Sequence, residues 1–455
     1  MTTSRRLEAW VMKCLPQPMR VRLQRASAEN RAILQGMTWV AVFLLVAKVV
    51  AAGKEMTVAY RYGTSAVVDG YLFVFNLAQW PSNVFASVAG IILIPFLVKL
   101  QKTQPLEANR LKAALLPLAL FLGVAASLLY GVIVWWMVSH LGLGLIDEGR
   151  AAALAALPWV APSIALTFTG AVLSNWLMSQ RRHANTLLDA TPAAVIAVCL
   201  LSWPMTSDQP WSVLPLAVGT LIGFLLQSFV LSVLCKQGIS FAHLGVIARH
   251  WPALRSAFGI MLLAQVVMTS TGLLDQFFAV RMGEGVLASY SYAQRIMALV
   301  LGLTSVVVGR AMLPVFSGLT DLRVSFALAS RWAWRLAALG LLGVLALLFI
   351  SEWAVMLLFQ RGAFTANDTR HVAQILQVLA FQLPFYLFSI VLVQWLGAAG
   401  KASWLLMVAV AAFLAKLVGL LLCFDLGAVG LAASTAVMYG VSTIVIYGTA
   451  RRLIR

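Results

Sequence analysis

The sequence predicts an all-α integral membrane protein of about twelve transmembrane helices arranged as two six-helix lobes, with both termini cytoplasmic. Three observations carry this. The 455 residues are 62% hydrophobic and 11% charged, with a mean hydropathy of +0.92, more apolar surface than a water-soluble chain of this size can hide. The apolar residues fall in runs of about 20 or more, the length a helix needs to cross a bilayer core. Lysine and arginine gather in every second connecting segment, the bias that fixes membrane orientation.

Residues 1–31 carry Arg5, Arg6, Lys13, Arg20, Arg22, Arg25 and Arg31, with Pro16 and Pro18 and no apolar core. That is not the pattern of a cleavable signal. It reads as a basic cytoplasmic segment lying on anionic lipid. Apolar spans are expected at 33–53, 66–98, 113–141, 150–178, 185–204 and 211–235, forming an N-terminal lobe over 32–236. A cytoplasmic linker follows at 237–255. The C-terminal lobe, 256–450, holds spans at 256–280, 286–316, 333–358, 370–397, 402–424 and 428–449, and a basic cytoplasmic tail closes the chain at 451–455. The second and eighth spans are long, and bends are expected near Pro81 and Pro314.

The basic residues test this count. With the N-terminus cytoplasmic, the inside segments hold most of the 33 lysines and arginines, among them Lys99, Arg110, Arg181, Arg182, Arg249, Arg323, Arg331, Arg451 and Arg452. The outside loops receive Lys54, Arg61, Arg150, Arg281, Arg361 and Arg370. An odd number of spans would spoil the alternation. The net charge of +18 is therefore explained by topology, and nucleic acid is not expected as a partner. Four scattered cysteines and five histidines form no metal-ligand spacing, so no metal site or cofactor is expected.

Two features suggest a site between the lobes. The first is an internal echo at an offset of 220 residues, which lays Glu55 on Asp275, Arg61 on Arg281 and Gly63 on Gly283. The second is charge inside apolar spans: Lys48, Arg295 and Lys416. An unpaired charge at mid-bilayer costs at least ~2.5–3.5 kcal/mol, so such residues either face a polar cavity or snorkel to an interface. Glu55 lies seven residues after Lys48, on the same helical face, and is a candidate partner for it. Asp69 stands at a helix start, where a carboxylate also meets the helix dipole favourably. Asp275 is a candidate partner for Arg281 or Arg295.

The most distinctive segment is LLFQRGAFTANDTRHVAQIL, 357–376. Thr365 followed by Asp368 has capping-box spacing, and Gly362 permits the turn before it. This phrase resembles the LFxRGxFTxxDT pattern of the MurJ/MviN lipid II flippases, within the multidrug/oligosaccharidyl-lipid/polysaccharide exporter superfamily. KVVAAGKEMTVAYRYGTSAVVDGYLFVFNL is similar to that family's opening hairpin, and YSYAQRIMALVLGLTSVVVGRAMLPVFS to its eighth helix. The resemblance implies two lobes forming a V around a cationic cavity. It implies export of a polyprenyl-diphosphate-linked saccharide across the bacterial cytoplasmic membrane. It places Lys48, Lys54, Arg295 and Asp69 at the substrate, with Glu55, Arg61, Asp275 and Arg281 as coupling or gating residues. Ser82 and Asn83 stand where the family carries an arginine pair, Gln294 replaces a frequent acid, and twelve helices are expected where the family usually has fourteen, the last two shaping a groove for the lipid tail.

The expected function is thus a monomeric flippase for lipid II or an exopolysaccharide repeat unit, with a lipid-linked saccharide and membrane lipid as its partners. Energy would come from the membrane potential or from coupled protons or sodium. A cation-coupled multidrug exporter of the same superfamily and a non-transporting flippase-like scaffold are the alternatives. No Walker-type phosphate loop or catalytic cluster in a large loop points to an enzyme.

Overall fold

The computed structural model describes residues 28–141, 143–180, 185–203, 212–235, 244–317, 321–399, 401 and 404–454. Residues 1–27 of the basic segment expected over 1–31, Arg181, Arg182 and residues 237–243 of the expected linker lie outside the described residues. The described chain is helical throughout, with no strand. Its helices are α1 (Ala28–Tyr62), α2 (Ala66–Thr103), α3 (Pro105–His140), α4 (Asp147–Val160), α5 (Ser163–Ser179), the single turn α6 (Asn185–Leu188), α7 (Thr191–Ser202) and α8 (Leu214–Cys235). They continue with α9 (Leu244–Ala279), α10 (Val286–Ser317), α11 (Leu322–Phe359), α12 (Ala366–Ala380), α13 (Gln382–Ala398), α14 (Trp404–Leu422) and α15 (Gly427–Ile454).

Local chemistry sets many of these boundaries. Pro105 opens α3 at a position where its missing N–H costs nothing. Asp321 caps α11 by accepting from the Arg323 and Val324 amides. Thr365 and Asp368 form the expected capping box at the start of α12, and Gly362 takes the expected left-handed turn at φ +60°.

Among the described residues, eight helices are long and apolar enough to cross a bilayer, or ten if each of two bent pairs is one span. The bent pairs are α4–α5, at 42°, and α12–α13, at 41°. The two remaining expected spans fall on α1 and on α7, a 12-residue apolar helix. Neither break falls at Pro81 or Pro314, where α2 and α10 continue as helix. Pro162 sits at the first break and Pro384 just after the second, each lacking the N–H that would continue the ladder. At the second break, a Cβ on Gly340 of α11 would lie 2.6 Å from the Pro384 Cα, so α11 and α13 meet there with no room for a side chain.

α2, α3, α4, α5, α7 and α8 pack on one another, and α10 to α15 form a second group. α1 leans on α7 and touches α10 and α11. The expected linker is helical from Leu244 onward, as the first turns of α9, which packs on α2 and α3 as well as on α14. Large apolar side chains such as Phe121, Trp135, Phe349 and Trp353 are exposed on α3 and α11, the pattern of helices solvated by lipid.

Candidate functional site

The charges expected between the helix groups meet on α1 and α10. Glu55 Oε1 lies 2.7 Å from Lys54 Nζ and 3.1 Å from Arg295 Nε. Lys54 and Glu55 are buried, while 41% of the Arg295 side chain is exposed. The Lys54 ammonium also stands 5.7 Å from the centre of the Phe75 ring. A carboxylate held by two cations leaves one positive charge over, and neither of the buried pair, Lys54 and Glu55, would be tolerated alone.

Two cavities meet at Arg295. The smaller, of about 110 Å³, is lined by Lys48, Glu55 and Arg295 among apolar residues of α1, α10 and α11. The larger, of about 650 Å³, lies between α2, α9 and α10 and is lined by Arg295, Gln294, Asp275 and carboxamide side chains. Lys48 and Glu55 therefore do share a face, but Glu55 pairs with Lys54 and Arg295.

Asp275 and Lys416 form a second buried pair, 2.6 Å apart. The Lys416 ammonium also contacts Thr435 Oγ1 at 2.5 Å and the Leu431 carbonyl at 3.3 Å. Tyr290 donates to Asp275 at 3.0 Å and receives a bond from Gln294 at 2.7 Å. Asp275 thus balances Lys416 rather than Arg281 or Arg295. In the sequence these two were legible as the acid and the base stranded in apolar runs. Nothing in the chain joined them.

Asp69 lines neither cavity. Its carboxylate accepts from the Gly285 amide at 2.6 Å and the Ala288 amide at 2.7 Å, capping α10 from another helix. Arg61 donates to the carbonyls of Leu200 and Trp203 at the end of α7, which fixes the α1–α2 turn. Arg281 is exposed on the α9–α10 turn. These three belong to a tightly sealed end of the molecule. Tyr292 donates to the Gly63 carbonyl at 3.0 Å, Thr64 to Asp368 at 2.6 Å, and the Ala363 amide to the Tyr60 carbonyl at 2.8 Å. A Cβ on Gly63 would fall 2.6 Å from the Ala363 carbonyl oxygen. At the opposite end Arg249 at the start of α9 lies 2.7 Å from Glu107 at the start of α3, with the arginine side chain 72% exposed and the glutamate side chain 19% exposed.

Apolar helices in two packed groups, with paired charges and cavities between them, define a multi-pass membrane transporter. The chain belongs to the lipid II flippase MurJ family, whose profile matches residues 58–454, and is a protein of the bacterial inner membrane. A probable lipid II flippase MurJ of Bdellovibrio bacteriovorus is 30% identical over 212 residues, 43% of this chain and 39% of that protein. One of Buchnera aphidicola is 21% identical over 382 residues, 79% of this chain and 72% of that one. Among solved structures, lipid II flippase MurJ in an inward closed conformation superposes with a TM-score of 0.77 at 18% identity, covering 91% of this chain and 87% of that chain. An inward-facing multidrug resistance MATE family transporter gives 0.72 at 14% identity, covering 90% and 94%. These likenesses carry the shared fold.

Proposed function

We propose that the protein is a flippase for a polyprenyl-diphosphate-linked saccharide, lipid II or an exopolysaccharide repeat unit, moved from the inner to the outer leaflet. The observation that carries this is the meeting of Lys54 and Arg295 on the Glu55 carboxylate, beside a cavity that Lys48 also lines. A lipid diphosphate must take its negative charge past hydrocarbon, and fixed cations in a polar cavity lower that barrier. Arginine offers a planar fork for phosphate oxygens and lysine a point charge. The Glu55 carboxylate holds the cations when no cargo is bound, and the diphosphate replaces it. The polyprenyl tail stays in lipid.

In this reading the chain spans the membrane twelve times, as two six-helix lobes related by the internal repeat, with both termini cytoplasmic, and it works as a monomer. The sealed end then faces outward, and the Arg249–Glu107 contact between α9 and α3 lies at the inner end. Alternating access closes one end as it opens the other. A potential negative inside favours outward movement of an anion by ~2.3 kcal/mol per charge per 100 mV, and proton or sodium coupling would add to it. Cations at the cavity make a poor site for cationic drugs, which weighs against the multidrug alternative.

Replacing Arg295 with alanine and following lipid-linked saccharide to the outer leaflet tests the assignment. Transport should fall to near background, with partial recovery in Arg295→Lys. Unchanged transport at equal protein level overturns it.

A further inference from the structure

At the inner end of the second helix group, α11 begins where α15 finishes. Arg323 at the start of α11 donates to the Ile454 carbonyl at the end of α15, at 3.2 Å, so the two helices run antiparallel. α13 packs on both. Its Phe388 ring joins them. The Trp334 ring of α11 meets it edge-on, with centres 5.1 Å apart, and the Tyr447 ring of α15 meets it edge-on at 5.6 Å. Tyr447 also stacks on Phe326 of α11 at 6.0 Å. An aromatic wall thus crosses three helices at one level. Trp334 leaves 62% of its surface exposed there.

Arg331 stands three residues before Trp334, and Arg451 four residues after Tyr447. In antiparallel helices these offsets run the same way, so each arginine lies about one turn, ~5 Å, beyond the wall toward the inner end. Both are exposed. The Arg451 guanidinium stands 5.1 Å from the centre of the Tyr447 ring. Arg331 gives its Nε to the Ala327 carbonyl at 3.4 Å, which leaves its terminal amino groups for a ligand. Among the described residues neither arginine is in an ion pair. α13 and α15 contain no acid. Glu352 of α11 lies eighteen residues beyond Trp334, ~27 Å along the helix, and the Asp321 carboxylate is engaged in capping α11. Membrane orientation asks for basic residues at this end. It does not ask for an aromatic wall one turn deeper with an arginine on each rim. Tryptophan and tyrosine settle at the membrane–water interface, and the phosphates of a leaflet lie just beyond it. A free phosphate would leave the wall unused.

We propose that the furrow between α11 and α15 binds one anionic phospholipid of the inner leaflet. Its phosphate lies between Arg331 and Arg451, and its acyl chains run along Trp334, Phe388 and Tyr447. The site is separate from the cavities at Arg295, and only the orientation of the chain is taken from the proposed function. Arg335 supplies an internal control. It stands 5.2 Å from the Trp332 ring, and Trp332, two residues from Trp334, lies on the other flank of α11.

The test uses the full-length protein in detergent, freed of bound lipid, and native mass spectrometry with phosphatidylglycerol or phosphatidylcholine of the same acyl chains. The protein should retain one phosphatidylglycerol about tenfold more tightly than phosphatidylcholine. Arg331→Gln combined with Arg451→Gln should abolish that preference, with an unchanged melting curve as the check on folding. Arg331→Lys combined with Arg451→Lys should keep part of it, because lysine keeps the charge and loses the fork. Arg335→Gln should leave it intact. Trp334→Ala should weaken both lipids alike. Equal retention of the two lipids by the native protein overturns the site, as does the same loss in Arg335→Gln as in the double glutamine variant. Displacement of phosphatidylglycerol by inorganic phosphate would show an anion site with no lipid seat and also overturns it. Displacement by an equimolar short-chain polyprenyl diphosphate would give the furrow to the cargo, with the same result. These readouts are of lipid binding, so the flippase reading is decided separately, by transport in Arg295→Ala.

Discussion

The Asp69 carboxylate on α2 accepts a hydrogen bond from the Ala288 amide on α10 at 2.7 Å. It makes this bond while its other oxygen accepts from Gly285. An acid at the start of one helix therefore caps the start of another, in a different helix group. Hydrogen bonds to a charged group contribute about 1.5–3 kcal/mol each, so this contact is a main fastening of the sealed end. Asp69→Asn keeps the shape, removes the charge and leaves one oxygen to accept. It should loosen that end without abolishing folding. In a background lacking Cys14, Cys199, Cys235 and Cys423, a Thr64→Cys reporter should label severalfold faster with a membrane-impermeant maleimide. Equal labelling with and without Asp69→Asn would show that the seal does not depend on this residue.

Gly362 supplies a second fastening. It sits at φ +60°, where L residues are strained, and a Cβ there would overlap the Tyr60 carbonyl oxygen. Gly362→Ala should hold the 361–365 turn away from the α1–α2 turn and trap the molecule with this end open. Transport should fall by an order of magnitude or more, and Thr64→Cys labelling should rise as for Asp69→Asn. Normal transport in Gly362→Ala would mean that the two turns need not close.

What the sequence discloses depends on how local each interaction is. The Thr365–Asp368 capping box and the Gly362 turn are legible because every partner lies within a few residues. The apolar runs are legible because hydrophobicity is summed over a window. Asp69 is not, because its partners are amides some 220 residues away, and its own helix start supplies a sufficient local reason for an acid. Proline alone leads to the expectation of bends at Pro81 and Pro314, where α2 and α10 continue as helix. The chain breaks at Pro162 and near Pro384, where Gly340 packs against Pro384 with no room for a side chain. Lys48 and Arg295 are legible as charges in apolar runs and Glu55 as a candidate partner seven residues after Lys48, and the structure brings the three to one cavity. The carboxamide face of α2 was missed, although Asn76, Gln79 and Asn83 at helical spacing on an apolar span were its visible signal.

The Asp275–Lys416 pair makes a separate prediction about stability. Both groups are buried, and the ammonium is held by three oxygens. Removing one partner of a buried pair costs about 3–5 kcal/mol, because the other charge is left without compensation. Lys416→Met alone and Asp275→Asn alone should each lower the melting temperature in detergent markedly. The double variant should recover much of the loss. Additive losses in the double variant would show that the two charges do not stabilise each other.

Glu55 makes the sharpest prediction about the site. Its carboxylate contacts Lys54 and Arg295, and in the proposed flippase reading it holds the place of a phosphate oxygen. Glu55→Gln removes that internal anion and leaves the two cations facing each other with less compensation. Two consequences follow in opposite directions. Inorganic pyrophosphate and polyprenyl diphosphates should bind more tightly, by about tenfold for a gain of 1.4 kcal/mol. Turnover should fall, because the carboxylate no longer returns to displace the diphosphate and release the cargo. Uniformly tighter binding with slower release is what a placeholder anion requires. Isothermal titration with pyrophosphate and a single-turnover flipping assay separate the two effects. Weaker pyrophosphate binding in Glu55→Gln would mean that Glu55 organises the cations for the ligand instead of occupying its place.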